Sequence, residues 1–182
     1  MPAILVLTGA SGAGKTTMLH AIAALETPGV ACFRCDVIYQ ELSAEVRSDG
    51  EVAQDAILEH WVKHVLSEPV IELAVLDTQI RPHKAIALLR RLGIAWSQVV
   101  LVECERGERE ARLCGPRGQP ELANPQMECW AAYLRGQADA LGLDSIVTSG
   151  DAAAARSSAR LGEMVKSLLE RTRCVGSGRS AG

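Results

Sequence analysis

The stretch ILVLTGASGAGKTTML, residues 4–19, decides the fold of this chain. It opens with a continuous apolar run, which predicts a β-strand covered on both faces, and then passes into small residues followed by Lys15 and Thr16. The spacing satisfies the pattern GxxxxGK[ST] between a predicted strand and a predicted helix. A loop of this kind curls its backbone N–H groups around phosphate oxygens at the positive end of the helix. The stretch therefore predicts a nucleoside triphosphate site.

The side chains of the loop have separate predicted roles. Lys15 is placed to neutralise the outer phosphates, and the hydroxyl of Thr16 is placed to bind Mg²⁺. The pattern alone leaves open whether the terminal phosphate goes to water, to a small molecule, or nowhere. The nucleotide-binding residues that it predicts are Gly9, Ala10, Ser11, Gly12, Ala13, Gly14, Lys15, Thr16 and Thr17.

The bulk composition indicates one globular domain without a general attraction to nucleic acid or membranes. The chain has 182 residues, of which 48% are hydrophobic and 23% charged, and its formal net charge is -3. The apolar N-terminus has no basic leader, and no later segment approaches the roughly 20 apolar residues of a membrane span, so we expect a cytoplasmic protein. Six cysteines without a secretory signal are expected to be reduced thiols. Cys32 and Cys35 have no second pair at zinc-site spacing, and the role of this pair stays open.

Strand and helix patterns alternate along the chain. This alternation predicts an α/β fold of three layers, a five-stranded parallel sheet with helices on both faces. We expect a single domain over residues 1–172 and a disordered tail over 173–182. The predicted strands are 3–7, 30–35, 70–77, 98–103 and 144–148, and the predicted helices are 15–25, 51–67, 82–92, 106–114, 126–141 and 152–171.

The residues at the end of the third strand and just beyond it disfavour two functions, that of a GTPase and that of a hydrolytic ATPase. The last strand residue, Asp77, lies beside the phosphate loop and is placed to hold Mg²⁺ through water. A GTPase would continue with a DxxG segment and carry an NKxD segment elsewhere, and the chain has neither. Hydrolytic ATPases of the common kinds place a glutamate after this aspartate, whereas the chain has Thr78.

The segment GASGAGKTT, with its additional glycine at Gly12, resembles the phosphate loop of the small P-loop kinases, which include nucleoside monophosphate, shikimate and gluconate kinases. The resemblance implies the P-loop NTPase fold over nearly the whole chain, with ATP and Mg²⁺ as cofactors. It also implies that Asp36, after the second strand, orients or deprotonates the acceptor hydroxyl. The loop TSGD after the fifth strand is implied to pass the adenine base, with Ser149 and Gly150 in contact through their backbone.

The segment LDTQIRP, residues 76–82, resembles LDGFPR of the adenylate-type kinases. In that family the arginine four residues beyond the aspartate holds the acceptor's phosphate, which implies that Arg81 binds the acceptor here. Residues 78–80 differ from the family pattern and speak against a nucleotide acceptor. The alternative is that Arg81 is a surface residue near a helix start.

The segment ERGEREARLCGPRGQPEL, residues 105–122, resembles the arginine-bearing lid of gluconate-kinase-like proteins. The likeness lies in Arg112 and Arg117, which we expect to stabilise the transferring phosphoryl group from a lid over about 106–125. Its glycines and prolines are typical of a segment that moves. The alternative is a helix with charge pairs at i, i+3 and i, i+4, to which we assign Arg109.

Together these residues favour an ATP-dependent kinase that moves the γ-phosphate to a small polar metabolite or nucleotide. We expect the acceptor to be held between CDVIYQ, residues 35–40, the helical stretch 40–67 and Arg81. The predicted catalytic residues are Lys15, Asp36, Arg112 and Arg117, with Thr16 and Asp77 at the metal and Asp36 and Arg81 at the acceptor. Two alternatives stay open: a regulatory nucleotide-binding protein, and an ATPase without a small-molecule acceptor. The identity of the acceptor and the oligomeric state are not predicted.

Overall fold

A five-stranded parallel β-sheet forms the middle layer of the molecule. The computed structural model describes the backbone of residues 1–177 and the side chains of residues 1–174. The strand order β2-β3-β1-β4-β5 places the strand that precedes the phosphate loop at the centre of the sheet. This arrangement confirms the predicted fold class. The strands are β1 (Ala3–Thr8), β2 (Val30–Arg34), β3 (Leu73–Asp77), β4 (Ser97–Glu103) and β5 (Ser145–Val147).

Helices cover both faces of the sheet because side chains of the central strand point alternately to either side. Leu5 and Leu7 pack in one core with α1 and α7, and Ile4 and Val6 pack in the other with α3 and α4. Within the described residues the helices are α1 (Lys15–Ala23), α2 (Ala44–Ser48), α3 (Gly50–Ser67), α4 (Pro82–Arg91), α5 (Arg106–Cys114), α6 (Pro125–Leu141) and α7 (Ala153–Ser177), with 3₁₀ helices at Cys35–Glu41 and Pro120–Leu122.

Local capping chemistry sets where the helices near the site begin. The Asp49 carboxylate accepts hydrogen bonds from the first backbone N–H groups of α3, and the Asn124 side chain does the same for α6. Pro82 is the first residue of α4, where its missing N–H costs no hydrogen bond. These starts place α3, α4 and α6 beside the carboxyl ends of the strands.

Several element boundaries differ from the sequence-based prediction by one to six residues. The strand expected at 70–77 begins at Leu73, because the chain turns over residues 68–71 before it enters the sheet. The second strand ends at Arg34, and residue 36 lies in a 3₁₀ helix. The last helix continues to Ser177, so residues 173–177 of the expected tail are helical, while 178–182 lie outside the described residues.

The sequence predicts no membrane-spanning segment, a prediction that concerns the length and hydropathy of the helices. Within residues 1–177, no helix combines the length and the apolar character needed to cross a bilayer.

Candidate active site

The turn after β1 approaches its neighbour too closely for a side chain at its first position. A Cβ at Gly9 would lie 2.3 Å from the backbone carbonyl oxygen of Val102. Gly14, directly before α1, has a φ of +94°, a conformation that L-residues rarely adopt. Glycines at these positions keep the backbone concave and the first-turn N–H groups of α1 unobstructed. The loop therefore fits a polyphosphate, whose oxygens such N–H groups bind.

Lys15 folds back over the loop. Its Nζ donates hydrogen bonds to the carbonyl oxygens of Gly9, at 2.9 Å, and Ala10, at 3.2 Å, and 6% of the residue is exposed. Burial lowers the pKa of Lys15 to about 8, an effect that nearby Asp77 opposes and Arg117 reinforces. Negative charge beside Nζ would raise this pKa again, because an anion favours the ammonium form.

Thr16 and Asp77 meet beside Lys15. The Thr16 hydroxyl donates a hydrogen bond of 2.6 Å to Oδ2 of Asp77, which ends β3 and is 8% exposed. The pairing of β1 with β3 sets Asp77 opposite Leu7, one residue before the end of the central strand. A hydroxyl and a carboxylate are the oxygen ligands that Mg²⁺ prefers, so this pair fits the metal site predicted from the sequence.

A cavity of about 310 Å³ lies between α1, α5 and α7. We call it the lid cavity. It begins at the phosphate loop and extends toward the start of α7, where Ser157 is buried. Its volume lies at the lower end of the range of roughly 300–1,000 Å³ typical of ligand pockets. Its principal lining residues are Gly12, Gly14, Thr16, Arg112, Arg117 and Ser157.

Arg112 joins α5 to the back of the phosphate loop. Its guanidinium donates to the carbonyl oxygen of Gly12 at 3.4 Å and to both oxygens of Thr148, at 2.7 and 3.0 Å. The fourth partner is Glu108, one helical turn earlier, at 2.5 Å. The structure thus brings Arg112 to the phosphate loop, as the lid prediction requires.

The loop after β5 is held by the start of α5. The hydroxyl of Ser149 accepts a hydrogen bond of 3.2 Å from the backbone N–H of Glu105, and the N–H of Gly150 donates to the Glu108 carboxylate at 3.0 Å. Thr148, the preceding residue, lines the lid cavity. Contact of Ser149 and Gly150 with a base stays a prediction.

Two further arginines of this segment, Arg109 and Arg117, have different surroundings. Arg117 comes after the end of α5, lines the lid cavity and donates to Oε1 of Gln119 at 3.1 Å. Arg109 is buried, donates to the Cys104 carbonyl oxygen at 3.0 Å, and forms an ion pair with Glu128 of α6. Arg109 is therefore a structural residue that joins α5 to α6, and its ion-pair partner lies on a neighbouring helix instead of at the expected i, i+3 or i, i+4 position.

Asp36 lies in the 3₁₀ helix after β2. Its carboxylate is 65% exposed and pairs with Arg34 at 3.2 Å. Its charge and that of Asp77 both contribute to raising the pKa of the buried Cys35 thiol, although burial is the larger cause. Asp36 also opposes the lowering of the Lys15 pKa by burial, so its charge is felt at the phosphate loop. Burial also raises the pKa of Cys32, to about 11.

Arg81 belongs to an ion-pair cluster between α3 and α4. It pairs with Glu51, which also accepts from Lys84 at 3.0 Å, and Lys84 contacts Asp55 at 3.3 Å. Hydrogen bonding from Lys84 lowers the pKa of Glu51, and hydrogen bonding to Glu51 and Asp55 raises the pKa of Lys84. The guanidinium carbon of Arg81 also lies 5.8 Å from the ring centroid of Trp130.

This cluster lines a second cavity of about 300 Å³, which we call the α3 cavity. One of its wall residues contacts the phosphate loop, since Gln79 donates a hydrogen bond of 3.2 Å to the Ser11 hydroxyl. Gln54, also on its wall, accepts from the Thr78 hydroxyl at 3.3 Å, next to Asp77. The principal lining residues are Glu51, Gln54, Asp55, Gln79, Arg81, Lys84 and Trp130.

Of the α3 cavity, the sequence predicted Arg81 and the helical stretch 40–67 as a whole, but no other individual residue. Gln79 lies between Asp77 and Arg81 in a segment already singled out, so its position was a usable signal. Glu51 and Trp130 come from helices far away in the sequence, and nothing in their local patterns marks them.

Comparison with known proteins shows similarity in structure. No protein family model matches the chain, and no curated protein sequence is significantly similar to it. A shikimate kinase from Acinetobacter baumannii in complex with shikimate superposes with a TM-score of 0.59 at 17% sequence identity, covering 92% of this chain and 95% of that one. A gluconokinase from Sinorhizobium meliloti gives a TM-score of 0.56 at 16% identity, over 91% and 96% of the two chains. A shikimate kinase from Bacteroides thetaiotaomicron gives 0.56 at 17%, over 90% and 98%.

These similarities extend over nearly the whole chain. At this level of identity they establish the fold and leave the activity to the chemistry of the site. The chain has the fold of the small P-loop kinases.

Proposed function

We propose that the protein is an ATP-dependent kinase that transfers the γ-phosphate to a small polar acceptor. The observation that carries the proposal is the presence of two cavities beside one phosphate loop: loop residues line the lid cavity, and Gln79 of the α3 cavity donates a hydrogen bond to Ser11 of the loop. A kinase needs a donor site and an acceptor site that meet at the transferred group. The similarity in fold to shikimate kinase and gluconokinase supports the same interpretation.

The donor side rests on the phosphate loop and the lid cavity. Lys15 would leave the carbonyl oxygens of Gly9 and Ala10 and neutralise the outer phosphates of ATP. The nucleoside would extend from the loop into the lid cavity, whose entrance lies between α1 and the start of α7. ATP, in preference to another triphosphate, is implied by the resemblance to the small kinases.

Magnesium would be held by the oxygens of Thr16 and Asp77, and it supplies positive charge against the β- and γ-phosphates. Asp77 is buried at the end of β3, where little solvent competes for its carboxylate. The hydrogen bond between Thr16 and Asp77 preorganises the site, because it already holds the hydroxyl and carboxylate oxygens next to each other.

The acceptor side rests on Asp36 and the α3 cavity. In the transfer, the acceptor hydroxyl oxygen forms a bond to the γ-phosphorus, the bond from that phosphorus to the bridging oxygen breaks, and ADP leaves. The proton of the hydroxyl passes to Asp36, whose carboxylate is exposed and lies within electrostatic range of Lys15. Arg81 would orient the acceptor from the cavity wall.

The two lid arginines would act on the charge of the transferring group. Arg117 is near enough to Lys15 to lower its pKa, so it already lies within electrostatic range of the outer phosphates. Arg112 contacts the loop backbone at Gly12 and would stabilise the closed segment over the donor.

The test compares two variants in an assay of ADP release with a panel of small polar acceptors. We expect Lys15→Met and Asp36→Asn each to lower acceptor-dependent ADP formation by about 100-fold or more, in the range measured for lost oxyanion donors and general bases. Glu41→Gln, an exposed acid at the end of the same 3₁₀ helix, is the matched control and should keep wild-type turnover.

A regulatory nucleotide-binding protein would lose function with Lys15→Met and tolerate Asp36→Asn. An ATPase without an acceptor would release ADP at one rate whatever small molecule is added. If no member of a broad panel raises ADP release above the rate in water, the kinase proposal fails.

A further inference from the structure

The α3 cavity contains charges of both signs in equal number. Its four ionisable lining residues are two cations, Arg81 and Lys84, and two carboxylates, Glu51 and Asp55. Each cation already contacts a carboxylate of the cavity, with Glu51 between both cations and Asp55 on Lys84. The lining therefore carries no net charge.

The remaining polar groups of the cavity are neutral. The Gln54 amide uses its oxygen on the Thr78 hydroxyl, and the Gln79 amide uses its nitrogen on the Ser11 hydroxyl. The amide nitrogen of Gln54 and the amide oxygen of Gln79 are thus left to bind a ligand. Trp130 supplies an apolar face.

A phosphate or carboxylate in this cavity would bind to the guanidinium of Arg81, which already pairs with Glu51. It would have to displace that carboxylate from Arg81 or lie beside it as a like charge, and both are unfavourable in a site that is only about one-third exposed. A hydroxyl group has no such conflict, because it donates to a carboxylate and accepts from a cation at the same time. A pattern of alternating charges and amides is complementary to a molecule with several hydroxyls.

From this charge balance we infer that the acceptor is an uncharged, polyhydroxylated small molecule, and that Glu51 excludes anionic acceptors by occupying Arg81. The inference rests on the proposed function, since it names the acceptor class of the same site. It departs from the resemblance to adenylate-type kinases, in which the matching arginine holds a phosphate.

The test measures anion binding in the α3 cavity without turnover. The full chain is first saturated with Mg²⁺ and a non-hydrolysable ATP analogue, so that the phosphate loop is filled. Inorganic sulfate is then titrated at constant ionic strength, and the indole N–H signal of Trp130 is monitored by NMR. We expect no saturable response in the wild-type protein and a saturable one in Glu51→Gln, with an affinity at least tenfold higher.

Two further variants make the result specific. Glu59→Gln removes another carboxylate of α3, which pairs with Lys63 and Arg91 away from the cavity, and it should behave as wild type. Arg81→Gln combined with Glu51→Gln should abolish the sulfate response. An equal response in wild type and Glu51→Gln, or no response in either, overturns the inference.

A second measurement separates this inference from the kinase proposal. ADP release is compared for matched acceptors that differ in charge, glucose against gluconate and adenosine against adenosine monophosphate. We expect any stimulation to be at least tenfold greater for the neutral member, and Glu51→Gln to reduce that preference. If none of the four compounds raises ADP release, the result counts against the proposed function, and the sulfate titration still decides whether Glu51 masks Arg81.

Discussion

At the scale of single residues, the charge state of Lys15 makes nucleotide binding depend on pH. In the empty protein burial lowers the pKa of this lysine to about 8. A bound polyphosphate raises it, so binding takes up a proton when the pH exceeds that value. We expect full nucleotide affinity below about pH 8 and a loss that approaches tenfold per pH unit above it, the limit for one proton. Calorimetry between pH 6.5 and 9.5 in buffers of different ionisation enthalpy measures both the affinity and the proton uptake.

The same experiment on Lys15→Met provides the control. This variant should bind more weakly and lose the proton uptake. If wild-type affinity is constant across pH 7.5 to 9.5, the lysine is not the group that titrates.

Residues whose role depends on a motif could be predicted, and residues whose role depends on packing could not. Lys15, Thr16 and Asp77 are marked by a loop and a strand end, and the structure brings them together. The ion pair of Arg81 joins residues that are 30 positions apart and exists because α3 packs against α4. No local pattern predicts which carboxylate of a helix faces which cation of its neighbour.

At the scale of elements, α5 is joined to α6 by Arg109 and lines the lid cavity with Arg112, one turn further along. Arg109 is fastened to α6 through Glu128, and a Cβ at Gly12 would lie 2.9 Å from its side chain, so α5 packs directly on the phosphate loop. Arg112 and Arg117, further along, line the lid cavity. The buried ion pair therefore determines where the lid arginines stand.

This arrangement predicts a large cost for removing Glu128. The variant Glu128→Ala would leave Arg109, whose side chain is 4% exposed, as a buried cation without its carboxylate. We expect the free energy of unfolding to fall by about 3 kcal/mol, as for other broken buried pairs. Urea denaturation measures this change.

The control for that variant is Glu110→Ala, which removes an exposed ion pair with Arg106 on the same helix. Its cost should stay below about 1 kcal/mol, the usual value for exposed pairs. Equal costs for the two variants would show that the pair between α5 and α6 is not a structural anchor.

The 3₁₀ helix at Cys35–Glu41 shows why one element was not predicted. The apolar run before it indicates a strand through residue 35, yet the strand ends at Arg34. The indole N–H of Trp61 donates to the carbonyl oxygen of Cys35 at 3.3 Å, a contact with α3 that takes this carbonyl out of the sheet. A tertiary hydrogen bond, invisible in the local pattern, therefore sets the position of Asp36.

At the scale of the whole molecule, the alternation of strands and helices was enough to predict the layers. Right-handed crossovers and a glycine-rich loop after the first strand leave few arrangements, and the strand order β2-β3-β1-β4-β5 is one of them. The cavities could not be predicted, because each is formed by elements that are distant in sequence. The α3 cavity alone draws on α3, α4, α6 and the loop after β3.

Gln79 links the α3 cavity to the phosphate loop, which makes coupling between the two cavities testable. Gln79 lines the α3 cavity and donates to Ser11 in the phosphate loop, so nucleotide binding that moves the loop should be felt by Trp130 on the far wall. In the wild-type protein we expect the ATP analogue with Mg²⁺ to shift the indole signal of Trp130, and in Gln79→Ala we expect most of that shift to disappear. Acceptor kcat/KM should fall at least fivefold in this variant, the lower end of typical coupling between sites, while nucleotide affinity changes less.

Gln98→Ala, which removes a hydrogen bond to Asp144 at the opposite end of the sheet, should preserve both the shift and the rate. An unchanged indole shift in Gln79→Ala would mean that the cavities are coupled by another route, such as the contact between Gln54 and Thr78.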